Sequence, residues 1–149
     1  MPKLIKNLLN NGFSLGRKLF EETDKATGSK VVAVDDGNSL TERESTWTGN
    51  IKGYNSFPSG IANGSGRSYI HSDSGVTIST WEGVFDTDNK DKITFIGRDI
   101  NKNNKFVVLR TFLTKSETLG WMNGLVCILN GEAEASTGTF KCVGYELVM

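Results

Sequence analysis

The sequence predicts an all-β single domain spanning residues 1–149, and three observations carry that expectation. β-branched and aromatic residues come in short runs punctuated by Gly, Asn, Asp and Ser. Beyond the first eleven residues no long segment repeats with a helical period. With 37% hydrophobic and 23% charged residues among 149, the chain can bury one core and lacks the bias of disordered or collagen-like sequences.

Taken in order, residues 1–11 place Leu4, Ile5, Leu8 and Leu9 on one stripe of a short amphipathic N-terminal helix. A helix of about two turns is marginal alone, so it must pack on the body of the chain or on a partner. Strands are expected near residues 13–20, 30–34, 45–54, 67–71, 76–85, 92–100, 105–114, 121–129 and 139–148. Eight or nine short strands fit a small antiparallel barrel or a sandwich. Residues 55–66, with Pro58 and several glycines, read as the one long loop, a lid or a connector.

Charge narrows the partners. Seventeen basic residues balance 17 acidic ones, so there is no field to collect phosphates and no nucleic-acid partner is expected. No apolar run approaches the roughly 18 residues that span a bilayer, so no membrane partner is expected. Residues 1–11 lack a continuous apolar stretch followed by a small-residue cleavage site, which sets a cytoplasmic location as the expectation.

Three turn signals, at residues 72–75, 86–91 and 101–104, give the central strands a register. Symmetric hairpins centred on them set His71 opposite Val76, Tyr69 opposite Ile78, Glu82 opposite Phe95 and Phe95 opposite Arg110. One face then carries Tyr69, His71, Val76, Ile78, Glu82, Val84, Ile93, Phe95, Asp99, Phe106, Val108, Arg110 and Phe112. That face is the expected interior, with Glu82 and Arg110 near enough to pair across it. It describes an apolar cavity with a few convergent polar groups, or else a structural ion pair at a rim. A slip of one residue would turn all of these side chains outward.

Counting removes several chemistries. One histidine and two cysteines supply no zinc ligand set, and the acidic residues at 86–91 lack the glycine and closing glutamate of a calcium loop, so no metal is expected. The glycines of 60–66 lack the Gly-Lys-Ser/Thr of a phosphate loop, and no cofactor is implied. His71 beside Ser72 and Asp73 is not a triad, because neighbours in a tight turn rarely face one another. A symmetric hairpin near 134–135 sets Cys127 opposite Cys142, most plainly as two buried free thiols.

The segment Tyr69, His71, Ser72, Asp73, Ser74, Gly75, Val76, Ile78 is followed by Phe106-Val107-Val108-Leu109-Arg110-Thr111-Phe112, Ser116-Glu117, Trp121-Met122-Asn123-Gly124 and Gly144-Tyr145-Glu146-Leu147-Val148. Over residues 67–148 this resembles an uncharacterised family of small bacterial β-barrel proteins with a domain of unknown function. That family is similar in architecture to allene oxide cyclase-like and, more loosely, lipocalin-like barrels. The chain departs from its pattern at Met122, where the family tends to leucine, and at Ser74, where it has an acidic residue. The resemblance implies a barrel and no established activity, and it matches recurring family positions at Arg110, Glu117, Trp121 and Asn123. If residues 116–120 form a helical turn capped by Ser116, Glu117 and Trp121 pair four residues apart, as an end plug or as a cavity wall.

The expected function is binding of a small, partly apolar ligand with an acidic or carbonyl group at Arg110, with Glu82, Tyr69, His71, Glu117, Trp121 and Asn123 as further ligand-binding residues. One alternative is a cofactor-free isomerase or cyclase using Glu82 or Glu117 as base. Another is a structural homodimer joined through Trp81, Phe85, Ile96, Leu109 and Leu113.

Overall fold

Alternation of inward apolar and outward polar residues lays out eight strands in the computed structural model, which describes residues 12–149. They are β1 (Ser14–Asp35), β2 (Leu40–Gly53), β3 (Gly60–His71), β4 (Val76–Thr87), β5 (Lys92–Lys102), β6 (Lys105–Thr114), β7 (Val126–Glu134) and β8 (Thr139–Val148). Each pairs antiparallel with the next and β8 returns to β1, closing a barrel. The chain is therefore all-β, as its sequence predicts. The expected N-terminal helix lies outside the described residues.

Three elements differ from expectation. The first two expected strands are one, β1, whose pairing with β2 continues through register shifts at Ala26/Gly28 and Val31/Ala33. The polar residues between them belong to a half of β1 exposed on both faces, where alternation carries no signal. The expected loop 55–66 shrinks to residues 54–59, because Gly60 already begins β3. Trp121 is not in a strand; it sits in a short 3-10 turn (Gly120–Met122), and β7 starts later.

The glycines of β3 are there for space. Its inward row is Gly60, Ala62, Gly64, Gly66 and Ser68, all small, and the rings of neighbouring strands lie over them. A Cβ on Gly64 would press into the Trp47 indole at 2.5–2.7 Å, and one on Gly66 would meet Trp81. Three large rings, Trp47, Trp81 and Phe95, thus share one thin-walled side of the barrel.

Loop length set the register. The β3–β4 hairpin pairs His71 with Val76 and Tyr69 with Ile78, as symmetry predicts. Between β4 and β5 the last rung is Asp86↔Lys92, leaving five residues in the loop, with Lys90 in a left-handed conformation (φ 70°). An odd loop moves the pairing by one, so Gly83, not Glu82, faces Phe95. Asn103 and Asn104 (φ 54° and 63°) form a two-residue turn, so Phe95 lies opposite Phe112 and Arg110 opposite Gly97. That two-residue shift keeps β6 facing inward as expected. The β7–β8 turn centres beyond residue 135, setting Cys127 opposite Glu146 and Cys142 opposite Gly131. Both thiols are buried and free.

One end of the barrel is plugged. Asn55 and Ser56 adopt left-handed φ of 52° and 71°, turning the β2–β3 loop inward so that Phe57 enters the core. Bonds from Tyr54 N–H to the Leu19 carbonyl (2.8 Å) and from Asn55 Nδ2 to the Lys18 carbonyl (2.9 Å) pin it. A Cβ on Gly53 would strike the Phe57 backbone, so the turn needs glycine there. The Phe57 ring stacks on Phe20 at 4.8 Å and meets Phe112 at 5.6 Å and Phe85 at 6.2 Å. Met122, fully buried, fills out this end.

Candidate functional site

The other half of the barrel is hollow. A cavity of about 730 Å³ runs from the aromatic floor toward the end formed by the β3–β4, β5–β6 and β7–β8 turns. Its walls alternate aromatic and small residues: Trp47, Trp81, Phe106 and Phe140 against Ala26, Ser68, Ser79 and Ala133. Four charged residues also line it: Asp24, Asp99, Arg110 and Arg43, the last donating from Nη1 to Ser29 Oγ at 2.9 Å.

Arg110 projects from β6 and crosses the lumen to β1. Its Nη1 donates to Glu22 Oε2 at 2.5 Å and its Nη2 to Glu22 Oε1 at 3.4 Å. Both side chains are sealed, at 5% and 0% exposed. The guanidinium lies 4.8 Å from the Phe95 ring centroid and 5.9 Å from those of Phe20 and Trp47. Charge, two-point geometry and three aromatic faces hold the cation in place. Nε has no partner, and neither does Oδ1 of Asp24 or of Asp99.

Asp24 stands two residues along β1 from Glu22 and tucks over Gly49, where any Cβ would collide with its carboxyl. Burial, then the charge of Glu22, push its carboxyl up to about 10, against the pull of Arg110. Burial beside Glu22 thus favours the protonated form of Asp24. Burial also raises the Asp99 carboxyl, against hydrogen bonds from Ser79 and Trp81. Cys127 is pushed up to about 12 by burial, so this thiol stays protonated and inert.

Of the residues expected to bind ligand, only Arg110 lines the lumen, and its partner is Glu22 instead of Glu82. Glu82 and Tyr69 are exposed on the outer surface, a direct result of the one-residue shift between β4 and β5. His71 also faces outward, and its Nδ1 is 2.7 Å from Ser74 Oγ in the β3–β4 turn. Val76, Ile78 and Val84 turn outward with them, while Ile93, Phe95, Asp99, Phe106, Val108 and Phe112 face inward as expected.

Glu117, Trp121 and Asn123 gather at the plugged end, away from the cavity. Glu117 is exposed; Ser116 Oγ bonds Thr118 Oγ1 at 3.1 Å instead of capping a turn at 116–120. Trp121 is half-exposed with its ring edge-on to Phe57 at 6.4 Å. Asn123 clamps the β6 end, accepting from Thr114 N–H (2.7 Å) and donating to its carbonyl (3.1 Å). Trp81 and Phe85, expected on an outer dimer face, point inward, leaving Ile96, Leu109 and Leu113 exposed.

Among the described residues, no cluster of three His, Cys, Asp or Glu side chains is placed to hold a metal ion, and no helix is long and apolar enough to cross a membrane. No family model and no curated protein matches the chain. Solved structures do match it. A conserved protein of unknown function from Rhodopseudomonas palustris superimposes with a TM-score of 0.74 at 13% identity, covering 91% of this chain and 99% of that one. A β-barrel-like protein from Acinetobacter baumannii gives 0.74 at 17% identity over 91% and 96%. An enzyme from Penicillium herquei gives 0.66 at 17% identity, again over 91% and 96%. These likenesses establish a shared barrel fold, with neighbours of unknown function among them.

Proposed function

We propose that the barrel binds a small, partly apolar molecule in its lumen, with a carbonyl or hydroxyl group as polar handle. The observation that carries this reading is a cavity of about 730 Å³ walled by indole and phenyl rings with Arg110, Asp24 and Asp99 in its lining. Its volume falls within the roughly 300–1,000 Å³ of small-molecule sites, and so does its mix of apolar wall and few polar groups. An acidic handle fits poorly at Arg110 itself, since Glu22 already neutralises it and would repel a second anion, whereas Arg43, the other cation of the lining, donates to Ser29 Oγ and is in no ion pair among the described residues. A neutral acceptor suits the protonated Asp24.

The test is titration with the uncharged fluorophore N-phenyl-1-naphthylamine. The wild-type chain binds it in the micromolar range, and Ala133→Trp, which fills the cavity from β7, loses at least tenfold in affinity while keeping its circular dichroism. Equal binding by both proteins would place the probe elsewhere and overturn the reading.

A catalytic reading rests on a separate observation: Asp24 lines the cavity with its Oδ1 buried and unpartnered, and burial beside Glu22 raises its carboxyl toward the protonated form. Such a carboxylic acid can donate to a carbonyl oxygen as charge develops on it. The former candidate bases Glu82 and Glu117 lie outside the cavity, so this version assigns the acid to Asp24. Asp24→Asn that keeps affinity for a bound compound but abolishes its conversion supports catalysis; unchanged conversion removes it.

A further inference from the structure

Closure of the barrel leaves one strand half open. The last rung between β1 and β8 is Lys25↔Thr139, followed by a single bond from Ala26 N–H to the Gly138 carbonyl at 2.9 Å. Pairing with β2 runs on to Asp35↔Leu40. Among the described residues, 26–35 thus have a strand on one side only, and every one of them is exposed. Val31, Val32 and Val34 are 47%, 39% and 59% exposed on this edge. No proline blocks it. A free edge with apolar side chains is a template for another strand.

The register shift at Val31/Ala33 decides which strand fits. Val32 drops out of the pairing, so Lys30, Ala33 and Asp35 share the face of Glu44, Glu42 and Leu40, while Val31 and Val34 share that of Arg43 and Thr41. Without the shift, Lys30 and Asp35 would lie on opposite faces. With it, the segment becomes self-complementary about a two-fold axis: a cation and an anion at its ends on one face, two valines between them on the other.

We propose that a second copy of this chain adds antiparallel to this edge, Val31 opposite the partner subunit's Val34 and Lys30 opposite the partner subunit's Asp35. Opposite charges then meet at both ends, and two Val–Val contacts form between them. This interface uses the β1 edge and is separate from the outer face carrying Ile96, Leu109 and Leu113.

Two measurements on the full chain test it. In light scattering at about 100 µM the wild-type chain has twice the 16.3 kDa monomer mass, and Val34→Lys, at an exposed position, has the monomer mass with unchanged circular dichroism. The double variant Val31→Cys with Val34→Cys, oxidised by copper phenanthroline, yields a covalent dimer on a non-reducing gel, because opposed residues stand about 4.5–5.5 Å apart. A monomeric wild type, a dimer untouched by Val34→Lys, or no covalent dimer from the cysteine pair would overturn the proposal.

Discussion

Glu21 and Glu22 are adjacent glutamates with opposite fates, and the difference is one of parity alone. Glu21 reaches Lys18 at the surface, with Nζ donating to its Oε1 at 2.6 Å, while Glu22 is buried against Arg110. Removing one member of a buried pair strands the other, which costs about 3–5 kcal/mol. Arg110→Met should therefore lower stability by that order in urea denaturation, and the double variant Arg110→Met with Glu22→Leu should recover most of it. Asp24 gives a second prediction. Its carboxyl is near 10 in the folded chain and 3.8 when unfolded, so above pH 4 the unfolded state loses a proton that the folded state keeps. Stability then falls as pH rises from about 4 toward 10, by up to about 1.4 kcal/mol per unit from this group. Asp24→Asn should flatten that slope between pH 5 and 9 and raise the melting temperature at pH 8. A slope unchanged in the variant would refute the protonated Asp24.

Among the elements, the β2–β3 loop and β3 divide the barrel into a solid half and a hollow one. Phe57 contacts three other phenyl rings, so Phe57→Ala should destabilise by about 3–5 kcal/mol and open the plugged end. Gly64→Val should displace the Trp47 indole, costing about 1–3 kcal/mol and shifting tryptophan emission to the red. These elements also mark where sequence reasoning ends. Runs of β-branched residues located most strands because packing favours them wherever a face is buried. Gly60, Gly64 and Gly66 were misleading, since glycine serves both turns and close ring packing, and only the alternation Gly60-Ala62-Gly64-Gly66-Ser68 separates the two uses. Hairpin symmetry gave the right rungs at β3–β4, missed by an even number of residues at β5–β6 and β7–β8, which leaves the faces unchanged, and missed by one at β4–β5, where the loop is odd. That single residue moved Glu82, Tyr69 and His71 out of the interior. Arg110 was legible because a two-residue shift preserves parity; Glu22 was not, because its partner lies 88 positions away and nothing local distinguishes it from Glu21.

At the scale of the molecule, the barrel couples a rigid aromatic base to an open cup with the buried Arg110–Glu22 pair and Asp24 at its floor. The plug accounts for Trp121 and Asn123, two of the positions singled out in the sequence for ligand binding, as parts of the closed end. Arg110 alone of those positions belongs to the cup. The arrangement suits holding a molecule more than merely filling a core, since small residues at Ser68, Ser79 and Ala133 leave space that larger side chains would close. Native mass spectrometry of the chain purified from its own host, under conditions that preserve weak complexes, tests this claim most directly. The account predicts one small molecule per chain in the wild type, released on denaturation and absent from Ala133→Trp. Bare chain mass in the wild type, together with no binding of N-phenyl-1-naphthylamine, would contradict it.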